Sequence, residues 1–143
     1  MKSALPQEPA PSIESPASRP IPVWLGRYAA WGMPLAYILI VALAAIGLKV
    51  PAIAFKVFLG GGAFWQLRVL LKKEPGNRYF LIARKVVGIQ LGLMLCVEVL
   101  SGVAVFALPS AMWPMAGGAS VFVGFILHIL VAIWGSFRLR AVG

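Results

Sequence analysis

The chain contains no aspartate, one histidine and one cysteine, and only 4 of its 143 residues are acidic. Each shortage excludes a class of chemistry. A single cysteine, Cys96, permits neither an internal disulfide nor a thiolate metal cluster. Inside an apolar run it reads as a small hydrophobe. A single histidine, His128, rules out bis-histidine haem ligation within one chain. No cofactor or metal is expected. Glu8, Glu14 and Glu74 lie outside the apolar runs, so only Glu98 remains among them and the paired carboxylates of acid–base catalysis are missing. Patterns of the P-loop, HExxH and GxSxG types are also lacking. The residues do not describe an enzyme.

Charge of either sign is scarce. Only 12% of the residues are charged, 61% are hydrophobic and the mean hydropathy is +0.91. Soluble domains carry about 25% charged residues, so this chain cannot dress a water-facing surface. Strict alternation of polar and apolar residues, the pattern of a membrane β-barrel, is missing too.

What the sequence does contain is a set of long apolar runs. A helix needs about 20 apolar residues to cross a hydrocarbon core of about 30 Å. Four stretches qualify, at about 25–48, 51–71, 79–108 and 114–137. The expected fold is an all-α membrane protein, a four-transmembrane-helix bundle over residues 23–143. Pro51 suits a first helical turn, where no N–H is required. Pro34 lies inside the first span and predicts a kink or the end of an interfacial first turn. Glu74-Pro75-Gly76-Asn77 is a turn signal between spans two and three.

Residues 1–22 differ in kind. Pro6, Pro9, Pro11, Pro16, Pro20 and Pro22 alternate with small and polar residues, and Glu8 and Glu14 interrupt any apolar core. That excludes a secretory signal peptide. With little apolar surface to bury, the segment is expected to form a disordered tail, dispensable for insertion, or a docking tether.

The basic residues report orientation. Eleven of them (Lys2, Arg19, Arg27, Arg68, Lys72, Lys73, Arg78, Arg84, Lys85, Arg138 and Arg140) fall on one side of the four spans, against Lys49 and Lys56 for the other. The positive-inside rule places both termini and the middle connection in the cytoplasm, and compactness together with this charge bias makes a bacterial inner membrane the expected location. Trp24, Tyr28, Trp31 and Tyr79 mark that boundary and Trp113 the opposite one. Topology accounts for the +9 net charge, so nucleic acid is not an expected partner, whereas membrane lipids are.

Polar residues within the spans are candidate functional groups, because a charge in hydrocarbon costs at least about 2.5–3.5 kcal/mol. Lys56, Glu98 and His128 form one set, able to meet near mid-membrane if their helices are neighbours; Gln66 and Gln90 form a second layer. Structural readings compete with functional ones: Lys56 snorkelling outward, Glu98 paired within the bundle, His128 in an interhelical hydrogen bond. Gly88 and Gly92 on span three, and Gly117, Gly124 and Gly135 on span four, make small faces suited to close helix packing.

Two function classes follow. The first is an accessory or assembly subunit of a larger membrane complex, or an immunity-type protein, acting through contacts with other membrane proteins or with itself. The second is a small oligomeric proton-coupled transporter or channel using Glu98 and His128; a lipid-handling enzyme is a distant third. The topology is testable by reporter fusions: cytoplasmic activity is expected after Gly76 and Gly143, and external activity after Ser110. An external signal at Gly143 would mean a miscounted span.

Overall fold

The computed structural model describes residues 23–48 and 51–142; the expected tail of residues 1–22, together with Lys49, Val50 and Gly143, lies outside them. Four α-helices carry the chain: α1 (Val23–Ala45), α2 (Ala52–Lys73), α3 (Arg78–Ala107) and α4 (Trp113–Arg140). No strand occurs among the described residues. All four helices are long and apolar enough to cross a membrane.

Local chemistry sets their ends. α1 stops at Gly47, whose φ of 81° is the left-handed conformation glycine adopts at little cost. The amide of Leu48 then donates to Leu43 O at 3.0 Å, closing the last turn. The Glu74–Asn77 turn is closed by the Asn77 amide donating to Glu74 O at 3.1 Å. Asn77 also caps α3, its side-chain oxygen accepting from the amides of Tyr79 and Phe80 at 3.0 and 3.3 Å. α4 opens on Trp113-Pro114 and ends on Arg138 and Arg140, the cationic finish that suits a helix C-terminus.

The helices run up-down-up-down. α1 touches all three others, and α3 packs on both α2 and α4. Arg27, Lys72, Lys73, Arg78, Arg138 and Arg140 therefore gather at one end of the bundle, the basic end. The hydrophobic core sits in that half: Leu25, Ala29 and Ala30 meet Ala63, Leu67, Phe80, Ala83 and Leu139. Two contacts there are close enough to demand glycine. A Cβ on Gly26 would lie 1.6 Å from the Tyr79 hydroxyl, and one on Gly135 would lie 2.8 Å from Val86 Cγ1.

The other half, the apolar end, is not packed in this way. From Ile38 to Leu48, from Pro51 to Phe55, from Leu95 to Leu108 and from Ser110 to Val123, no described side chain is buried. Phe106 is 93% exposed and Met115 73%. The helices close on one another through half their length and part through the other half.

Pro34 explains one of the interhelical contacts. α1 is continuous through it, so it does not end an interfacial first turn. Having no N–H, Pro34 leaves the carbonyl of Ala30 without its helical donor. Gln90 on α3 takes that place, its Nε2 donating to Ala30 O at 2.7 Å. An orphaned carbonyl in an apolar interior costs about 1–3 kcal/mol, which is the loss expected for Gln90→Leu. In a Pro34→Ala background, where residue 34 regains an amide for Ala30, the same Gln90→Leu change should cost distinctly less. Thermal unfolding of the four proteins in one detergent measures this coupling; equal losses in both backgrounds would refute it.

Candidate functional site

Lys56, Glu98, His128 and Gln90 converge at mid-bundle, where the packed half meets the open half. Lys56 on α2 is only 4% exposed. Its Nζ donates to Oε1 of Glu98 on α3 and lies 4.5 Å from the Tyr37 ring centroid. Lys56 thus turns inward, in contrast to the snorkelling reading. The Glu98 side chain is not enclosed: it keeps 26% of its surface exposed. Beyond Lys56, no hydrogen-bond donor among the described residues reaches that carboxylate.

His128 on α4 is fully buried, with Nδ1 2.6 Å from Gly124 O and Nε2 3.1 Å from Gln90 O. Both neighbours are acceptors, so a neutral ring donates to one of them and an imidazolium to both. Its ring centroid lies 5.1 Å from that of Tyr37. Tyr37 therefore stands between the histidine and the ion pair. Its own hydroxyl is buried without a hydrogen-bond partner among the described residues.

The sequence singles out Lys56, Glu98 and His128 as groups able to meet if their helices are neighbours. The structure pairs the first two and gives His128 to the α3 backbone, with Tyr37 as the bridge. Gln66 and Gln90 do not form a layer. Gln90 is buried and Gln66 is exposed, because Gln66 falls off the α2 face that carries Ala63 and Leu67. The glycines divide as well. Gly124 approaches Tyr37 and Val97, Gly135 approaches Val86, and Gly88 makes ordinary contact with Phe64. Gly92 and Gly117 correct the packing expectation: a Cβ on either would find nothing within 4 Å, Gly117 because it lies where the helices have parted and Gly92 because it stands on an exposed face of α3 between the buried Gln90 and Met94.

Three contributors escaped the sequence reading. Tyr28, taken as a boundary marker, donates its hydroxyl hydrogen to Leu59 O at 3.2 Å. Trp31 Nε1 donates to Ser136 Oγ at 3.1 Å. Tyr37 carried a usable signal: it follows Ala30 and Met33 at spacings of three and four, in phase with the buried face of α1.

Each neighbouring helix pair thus has a polar contact: Tyr28 joins α1 to α2, Gln90 joins α3 to α1, His128 joins α4 to α3, Lys56–Glu98 joins α2 to α3, and Trp31 joins α1 to α4. Among the described residues no three of His, Cys, Asp and Glu come together as a metal cluster would require. Arranged this way, the polar groups hold helices in register.

The ion pair makes a sharp mutational case. Removing one partner of a buried pair strands the other, at about 3–5 kcal/mol, whereas replacing both is close to neutral. Glu98→Gln alone should lower thermal stability, and Glu98→Gln with Lys56→Met should recover most of the loss. Equal stability of Glu98→Gln and the parent would show the pair to be unimportant for folding. Compared with known proteins, this chain matches no family model, no curated protein and no solved structure.

Proposed function

We propose that this is a small polytopic protein of a bacterial inner membrane, with both termini cytoplasmic, that acts through protein–protein contacts inside the bilayer. It would serve as an accessory or assembly subunit of a larger membrane complex, or as an immunity-type protein. The observation that carries this reading is the division of labour along the helices. In the half toward the basic end, polar contacts and close glycines bind the chain to itself. In the other half, apolar helix surface is left over, with Gly102, Gly117 and Gly118 open to approach by another backbone. The charge asymmetry supports the orientation, since nine basic residues between Arg27 and Arg140 flank the spans on one side.

A proton-coupled transporter would use Glu98 and His128 for titration along a path. Here both ring nitrogens of His128 face backbone carbonyls and Glu98 is engaged by Lys56, which favours the contact reading. The test is isolation from the native membrane in lipid nanodiscs without prior detergent. A second membrane protein in fixed stoichiometry is the expected result. A protein isolated alone, which on reconstitution into vesicles supports pH-dependent solute flux, would replace this reading with the transporter.

A further inference from the structure

The seam between α2 and α3 is closed on one side of the ion pair and open on the other. Toward the basic end, a Cβ on Gly88 would touch Phe64 at 3.6 Å, and one on Gly60 would lie 2.6 Å from Leu91. Ile53 and Val57 continue the α2 row of Gly60 and Phe64 at helical spacing, yet they are 54% and 45% exposed. On α3, Leu95, Glu98 and Gly102 form one row at spacings of three and four. Leu95 is 55% exposed, and a Cβ on Gly102 would meet nothing within 4 Å. The seam therefore opens at the level of Lys56–Glu98 into a niche with apolar walls, a bare backbone at Gly102 beyond the pair and a carboxylate at its floor.

That carboxylate is unfinished. Lys56 satisfies Oε1 and balances the charge, while the side chain remains 26% exposed. Counting ten residues from Leu108 puts Glu98 about 15 Å from the apolar boundary, near mid-membrane. A carboxylate oxygen facing hydrocarbon is costly, and an acyl chain has no donor to offer it. A second cation would leave an excess of positive charge. A second copy of this chain is poorly equipped: in its unpacked half the hydroxyls of Ser101 and Ser120 already donate to Val97 O and Ala116 O, Ser110 lies beyond the end of α3, and the exposed Gln66 carboxamide lies ten residues from Lys56 toward the basic end.

We propose that the α2–α3 niche is a docking site for a transmembrane helix of a different protein, one that carries a neutral hydrogen-bond donor (a hydroxyl or carboxamide side chain) at mid-membrane. Its backbone approaches over Gly102 and its donor completes Glu98. This deepens the contact reading above and rests on it.

The site can be tested with a defined partner. A leucine-rich 20-residue helix with one central asparagine is compared with its all-leucine counterpart. Binding to the full-length protein is followed by energy transfer in phosphatidylcholine vesicles, at peptide densities below the peptide's own self-association. The asparagine helix should bind more tightly by about threefold to thirtyfold, the range that one interhelical hydrogen bond supports in a bilayer. Gly102→Leu fills open space without touching the fold, and should abolish the preference. Gly117→Leu, equally open on α4, should keep it. Equal binding of the two helices to the parent protein, or a preference surviving Gly102→Leu, overturns the site. A protein that co-isolates with a native partner yet shows no preference overturns the niche alone, leaving the contact reading in place.

Discussion

A polar group inside a bilayer finds no water, so each one must be paired within the protein or pay for its isolation. The bundle is organised around that constraint, beginning at Pro34. The missing amide of Pro34 frees the carbonyl of Ala30, and the Gln90 side chain crosses from α3 to satisfy it. The Gln90 backbone carbonyl in turn lies 3.1 Å from His128 Nε2, and the other ring nitrogen faces Gly124 O. Three helices are thus set in register by groups that would otherwise be liabilities. The fourth is held by Lys56 against Glu98.

Small residues make these polar contacts reachable. Gly26, Gly60, Gly124 and Gly135 stand where a Cβ would fall 1.6 to 3.0 Å from a neighbouring side chain. Lipid tails are as apolar as leucine, so helix association here depends on such close approach and on hydrogen bonds, not on expelling water. Where the polar contacts end, near Glu98 and Tyr37, the close approaches end too. The helices beyond that level show lipid-like surface and a groove of about 460 Å³ between α1 and α4.

On the proposed reading, this asymmetry is why the unpacked half bears on function. A chain that used all its apolar surface on itself would have nothing with which to recognise another helix. Here the free surface includes the one acidic side chain of the spans, incompletely satisfied and reached over an open glycine. On the proposal above, recognition by a single donor in hydrocarbon is selective because the wrong partner leaves the second carboxylate oxygen of Glu98 without a donor.

The helical class and the number of helices were legible in composition and run length, since only about 20 apolar residues in a helix satisfy both the bilayer and the backbone. The turn at Glu74–Asn77 was legible because Asn77 can cap and Gly76 can bend. The polar candidates Lys56, Glu98 and His128 were legible because charge and imidazole stand out against an apolar background. Which of them meet was not, because helical phase gives a direction for each side chain but no neighbour. Gly92 and Gly117 looked like packing glycines for that reason: their spacing matched Gly88 and Gly124, but only the facing and the splay of the assembled helices decide which glycines touch. Tyr37 and Gln90 gained their roles from the same source. A tyrosine between an ion pair and a histidine, and an amide opposite a proline's orphaned carbonyl, exist only once the helices have been brought side by side.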